Sequence, residues 1–284
     1  MTSPTATLLI SCPDQQGLVA KLANFIYTYG GNIVHADQHR DEATGLFLSR
    51  IEWQLEGFQL SRELVGPAFG AIATPLQATW QLHFSDTVPR LAIWVSKQDH
   101  CLLDLLWRHR AGEFSADIPL IISNHDTLSP IAEQFGIDFH HLPITAETKP
   151  QQEQAQLDLL NQYQVDLVVL AKYMQVLSPD FLAAFPTVIN IHHSFLPAFM
   201  GANPYQRAYE RGVKIIGATA HYVTPDLDAG PIIEQDIVHI SHRDEVKDLI
   251  RKGKDLERMV LARAVRLHLQ NRTLVYGNRT VVFA

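Results

Sequence analysis

At 284 residues the chain has room for about two domains of ordinary size. Its 46% hydrophobic and 19% charged residues are the balance of a packed globular protein. A net charge of −7 argues against a nucleic-acid polymer as partner, and no apolar run approaches the roughly 18–20 residues that cross a bilayer. The first residues, MTSPTATLLISCPDQQG, lack the basic stretch and long apolar core of a secretory signal. Cys12 and Cys101 lie far apart and suit neither a disulfide framework nor a zinc knuckle. The expectation is a cytoplasmic protein that handles small molecules.

In chain order, Thr7–Ser11 is a short β-rich run closed by Cys12-Pro13-Asp14, and Gly17–Tyr29 carries Leu18, Leu22, Phe25 and Ile26 on one helical face. Gly30-Gly31-Asn32 supplies the left-handed stop. Asn32–Asp41 and Leu46–Leu55 read as strands split by a turn cluster, Ser61–Ala73 as a helix capped by Ser61, and Ala78–Phe84 as a last strand. This βαββαβ order is ferredoxin-like, and polar Ser85–Val88 before Pro89 places a boundary near residue 86. Beyond it, Arg90–Ser96, Ile118–Ser123, Asp166–Ala171 and Val188–His192 are apolar runs separated by helix-length stretches. That alternation predicts a Rossmann-like, mostly parallel sheet with helices on both faces. Glu245–Leu269 reads as a long helix, and Leu274–Phe283 as a hairpin turning at Gly277-Asn278. The domains expected are therefore 1–86 and 87–284.

The stretch Val188–Gln235 carries the chemistry. Ligands of open α/β sheets sit beyond the carboxyl ends of strands, and Asn190, His192, His193 and Ser194 fall where one strand runs out. Asn190 and His192 are two apart and so share a face. An amide donor and an imidazole on one face suit acyl chemistry, one holding a developing oxyanion, the other polarising a carbonyl or moving a proton. Asp228 lies in the turn-rich Thr224–Pro231 loop, which could fold back over that end. The plain alternatives are structural: a strand-end Asn or His more often serves the fold, and a loop Asp is usually a cap. A metal held by His192, His193, His221 and Asp228 is a further alternative, although the spacing matches neither a helix nor a knuckle.

At these residues the chain resembles the folate-dependent formyltransferase domain. Asn190-x-His192-x-Ser194-x-Leu196-Pro197, Gly201 and Leu227-Asp228-x-Gly230-Pro231 carry the likeness, as does Leu167–Ala171 followed by Met174, Leu177 and Ser178-Pro179. Two departures from the glycinamide ribonucleotide transformylases stand out. The loop Ser96–Leu102 has no glycine with which to cradle a phosphate, and His193 stands where those enzymes usually have proline. The His192-His193 doublet resembles the 10-formyltetrahydrofolate deformylases, and residues 1–86, with Cys12–Ala20 and Gly30–Ile33, resemble an ACT domain.

The resemblance implies hydrolysis of 10-formyltetrahydrofolate to formate and tetrahydrofolate, supplying formate for purine synthesis and balancing the one-carbon pool. It assigns catalysis to Asn190, His192 and Asp228. Folate binding falls to Met174, Gln175, Val176, Leu177, His193, Ser194, Gly201, Thr224 and Leu227. It implies no metal or cofactor, the folate being substrate, and no nucleic-acid or membrane partner. A homo-oligomer, dimer or tetramer, is expected, with methionine and glycine as effectors near Asp14, Gly17, Asn32 and Ile33. Formyl transfer to an amine acceptor and a non-catalytic folate sensor remain the alternatives. Methionyl-tRNA formyltransferases share the core but should add a basic RNA-binding domain.

Overall fold

The computed structural model describes residues 3–198 and 204–283. The chain forms two compact units, one made of residues 1–88 and 270–284 and the other of residues 89–269.

The first unit runs β1 (Thr5–Pro13), α1 (Leu18–Thr28), β2 (Asn32–Asp41), β3 (Leu46–Gln54), α2 (Arg62–Ala73) and β4 (Thr79–Phe84). Its sheet is antiparallel in the order β2-β3-β1-β4. Gly30, at φ +75°, turns the chain out of α1 as its sequence position predicts. Ser61 does precede α2, but its side chain makes no capping hydrogen bond. One face of the sheet, with Leu8, Ile10 and Trp53, packs under Leu22, Phe25, Ile26 and Phe69 of the helices. The period-two geometry of strands sends Leu9 and Leu48 to the other face, where they meet Leu274 and Phe283. The closing hairpin thus packs with the first unit, whereas the sequence reading ran the second domain to residue 284. The physical reason is that β1 is apolar on both faces and the second face needs a cover. Arg50 fastens it, its Nε donating to the Asn271 carbonyl at 3.0 Å.

The second unit runs β5 (Arg90–Val95), α3 (His100–Arg110), β6 (Asp117–Ser123), α4 (Ser129–Phe135), β7 (Asp138–His141), α5 (Lys149–Gln162) and β8 (Leu167–Leu170). It continues through α6 (Pro179–Ala184), β9 (Val188–His192), α7 (Pro204–Arg211), β10 (Ile215–Tyr222), β11 (Ile232–His239) and α8 (Val246–Leu269). β12 (Thr273–Tyr276) and β13 (Arg279–Val282) are the hairpin. The seven-stranded sheet has the order β11-β10-β9-β8-β5-β6-β7. The five strands from β9 to β7 are parallel, and β10 runs antiparallel to both of its neighbours, β9 and β11.

Both faces of this sheet are covered. Leu91, Ile93 and Val95 pack towards Leu105 of α3 and Val260 of α8, while Ala92 and Trp94 pack towards Leu160 and Phe181. Chain order reverses direction across the sheet at β5, which has β6 on one side and β8 on the other. The carboxyl ends of β5, β8 and β9 therefore open onto one crevice region. Among the described residues no helix is long and apolar enough to cross a membrane.

Candidate active site

Asn190 and His192 of β9 and His221 of β10 share one face, because Asn190 lies directly opposite His221 in the antiparallel register. His221 Nδ1 lies 2.9 Å from the Tyr222 carbonyl and so carries the proton. Its Nε2 then accepts from Asn190 Nδ2 at 3.3 Å, which fixes the Asn190 amide. Burial first of all keeps His221 neutral by lowering its pKa.

The loop after β10 folds back, as its turn residues suggest. Asp228 takes the left-handed conformation, φ +54°, which Asp tolerates better than most residues. Its Oδ1 lies 3.2 Å from His192 Nδ1 and 3.9 Å from His221 Nε2. The His192 hydrogen bond is the main reason that the Asp228 carboxyl stays below its ordinary value, outweighing partial burial. With Nδ1 turned to a carboxylate, neutral His192 keeps a bare Nε2, which is buried and without a partner among the described residues. A carboxylate, an imidazole with a free lone pair and an oriented amide are the parts of an acid–base site with an oxyanion donor.

His193 stacks on His192 with ring centroids 4.9 Å apart. Behind it lies a buried ionic cluster. Lys172 Nζ, just beyond β8, is 3.0 Å from His193 Nδ1 and 3.3 Å from the Glu257 carboxylate of α8. Glu257 also accepts from His100 Nε2 at 2.8 Å and from the Tyr205 hydroxyl at 2.7 Å. Burial alone would raise the Glu257 carboxyl, but these donors and the Lys172 charge hold it at about 2. Burial, followed by that carboxylate, pushes the Tyr205 hydroxyl upward.

The remaining expected residues divide. Met174, Val176 and Leu227 expose 62%, 54% and 65% of their surface, a large share for apolar side chains. Gln175, between Met174 and Val176 in the chain, is partly exposed. Met174 N–H donates to Ser96 Oγ at 3.0 Å, tying that loop to the end of β5. Leu177, by contrast, is buried with Trp94 and Phe181, so its side chain serves the core. Ser194 Oγ donates to the Ala198 carbonyl and Thr224 Oγ1 to the Asp226 carbonyl; both hydroxyls brace their own loops. Gly201 lies outside the described residues.

In the first unit Asp14 pairs with Arg40 at 2.6 Å, and Asn32 Nδ2 donates to Gln54 at 3.0 Å. Gly17, at φ +84°, has open space around its α-carbon, and Ile33 packs on the helix-covered core.

The sequence reading passed over Lys172, Glu257, His100 and Tyr205. Two signals were present. Lys172 directly follows five apolar residues, and Glu257 interrupts the apolar stripe Leu249, Gly253, Leu256, Val260, Leu261 of α8. Among the described residues the group of ligand-type side chains close enough to share a cation is His100, Cys101 and Glu257, not the His192-His193 doublet. There the Lys172 ammonium already supplies the positive charge.

Residues 89–265 match the formyl transferase family and residues 6–72 the ACT domain family. The chain is 70% identical to a formyltetrahydrofolate deformylase of Synechocystis over the full length of both. The crystal structure of a formyltetrahydrofolate deformylase from Pseudomonas syringae pathovar tomato superposes with a TM-score of 0.97. It shares 44% identity and covers 100% of this chain and 96% of that one. A glycinamide ribonucleotide transformylase from Symbiobacterium toebii matches with a TM-score of 0.66 at 32% identity, covering 72% of this chain and 98% of its own. The likeness to deformylases thus runs through both units, whereas the transformylase leaves more than a quarter of the chain unmatched. By sequence and by fold, the chain belongs to the formyltetrahydrofolate deformylase family.

Proposed function

We propose that the chain hydrolyses the N10-formyl group of 10-formyltetrahydrofolate to formate and tetrahydrofolate. The contact between His192 Nδ1 and Asp228, 3.2 Å, is the observation that supports this chemistry best. Water adds to the formyl carbon while its proton passes to His192 Nε2, and the Asp228 carboxylate stabilises the imidazolium that forms. The Asn190 amide donates to the tetrahedral oxyanion. Collapse breaks the carbon–nitrogen bond, and the proton returns to N10. The reaction calls on no metal or organic cofactor. We assign Met174, Gln175, Val176 and Leu227 to the folate rings, an assignment supported by the exposure of these side chains.

Incubating the purified protein with 10-formyltetrahydrofolate, with and without amine acceptors, tests the assignment. Formate should appear at the same rate in both. Formyl transfer to an amine without formate release would instead make the protein a transferase, and binding without turnover would make it a sensor.

The first unit we assign to regulation by a small zwitterion at the glycine-bearing segments Asp14–Gly17 and Gly30–Ile33, within a cytoplasmic homo-oligomer. Both cysteines are free and buried, in keeping with a reducing compartment. Methionine and glycine are expected to shift the rate in opposite directions. An effector bound there acts only through differential affinity for a more and a less active arrangement. A rate indifferent to both amino acids across the millimolar range would remove this role.

A further inference from the structure

A buried ion pair is a poor source of stability, because desolvating two charges offsets most of their attraction. Lys172 and Glu257 are nonetheless almost sealed from solvent, at 6% and 1% exposure. Lys172 also holds a left-handed backbone, φ +67°, unusual for a long side chain. Glu257 collects three donors, from Lys172, His100 and Tyr205, and among the described residues the ammonium has one further contact, His193 Nδ1 at 3.0 Å.

An ammonium can only donate, so His193 Nδ1 must be the acceptor, and the proton of the neutral ring sits on Nε2. That Nε2 is buried and without a partner among the described residues. Its neighbour His192 is oppositely set, with its proton on Nδ1 towards Asp228 and a bare Nε2. Two stacked imidazoles, 17° from parallel, thus carry opposite tautomers.

We propose that the Lys172–Glu257 pair locks the tautomer of His193, making that ring a fixed neutral Nε2–H donor to the formyl oxygen or the attacking water beside the base His192. The proposal rests on the hydrolytic reading above. Lys172 and Glu257 are positioning residues; His193 is the group that meets the substrate. His100 and Tyr205 hold the carboxylate that holds the lysine. Burial, then the Lys172 charge and any proton on His192, keep the His193 pKa down at about 4, so the donor stays neutral near pH 7. Glu257 and Asp228 oppose that effect and are outweighed.

The direct test is nitrogen-15 NMR of the histidine rings in the full-length protein without substrate, with His193 assigned from the signals lost in His193→Gln. The lock predicts a protonated Nε2 and a hydrogen-bonded, bare Nδ1 on His193 down to pH 5. A proton on Nδ1, or a mixture of tautomers, overturns it. Because no turnover is needed, a locked ring in a protein that releases no formate would fault the activity and not the lock.

A mutant cycle supplies the functional half. Replacing both charges together, Lys172→Met with Glu257→Gln, avoids stranding one of them. The double variant should lose about 100-fold in kcat, the usual loss for one transition-state donor, with tetrahydrofolate affinity within about threefold. In a His193→Ala background the same pair of changes should cost nothing further, because the lock acts through that ring. Losses that simply add, or a folded double variant with parental kcat, would make the pair structural. If the double variant does not fold, the NMR result on the parent protein decides.

Discussion

Gly253 of α8 gives up the space of a side chain to Tyr205: a methyl group there would overlap the phenol ring and its hydroxyl. The phenol cannot retreat without leaving the Glu257 carboxylate, 2.7 Å away. Alanine normally stabilises a helix interior by about 1 kcal/mol over glycine. Here overpacking should win, and Gly253→Ala is expected to lower unfolding free energy by about 1–3 kcal/mol. A urea midpoint equal to or above that of the parent would contradict this.

Asp228→Asn keeps the size and some hydrogen bonding of the side chain but removes the charge that faces His192. Formate release should fall by about 100-fold or more, while tetrahydrofolate binding survives. His192→Ala and Asn190→Ala should be equally severe, and the losses should not add, because the three groups act on one transition state. Near-parental turnover in Asp228→Asn would remove the carboxylate from the mechanism.

Gly230 is backed against the Tyr222 carbonyl, so a methyl group there meets backbone that cannot rotate away. That same carbonyl receives the His221 Nδ1 proton at 2.9 Å. Gly230→Ala should therefore displace the Asp228 loop and reduce kcat by about tenfold, an effect of roughly 1.4 kcal/mol on the barrier. Circular dichroism should remain that of the parent. Full activity in the alanine variant would show that the loop tolerates the shift.

His193 has a folded pKa of about 4 against an ordinary value of 6.5. Between these values the unfolded chain binds a proton that the folded chain refuses. Stability conferred by the neutral ring is therefore complete above pH 6.5 and drains away as pH falls towards 4. Over that window the parent should lose roughly 3 kcal/mol more than His193→Asn. Parallel stability curves for the two proteins would show that the ring is protonated as readily folded as unfolded.

The first sheet predicts how the chain can be cut. Leu274 and Phe283 are buried on Leu9 and Leu48, so a fragment of residues 87–284 carries a hairpin whose apolar side has lost its cover. It should bind a hydrophobic dye and aggregate, whereas residues 89–269 should stay monodisperse in light scattering. Equal behaviour of the two fragments would mean that the hairpin finds another surface.

The strands and helices of the first unit were legible because each apolar face repeats at its own period, as in Leu18, Leu22, Phe25 and Ile26 of α1. Asn190, His192 and Asp228 were legible as a group through their spacing and the family likeness, and the fold brings them together. Strands β7, β10 and β11 were not singled out; β7 is four residues of mixed polarity and β11 alternates, so neither resembles a buried central strand. The home of the hairpin was hidden because nothing local distinguishes a strand that covers one sheet from a strand that covers another. The Lys172–Glu257 contact joins residues 85 apart in sequence, and no periodicity reports a charge partner at that distance.

That hairpin also gives the chain an order of events. The unit that carries His192 and Asp228 is encoded wholly between the two pieces of the other. During synthesis it can close before residues 270–283 exist, while β1 and β3 wait with Leu9 and Leu48 uncovered. The unit with the candidate active site can thus assemble on a nascent chain whose other unit is still unfinished. The same nesting resists simple shuffling of parts: cutting the first unit away at one end alone leaves either the sheet or its cover behind.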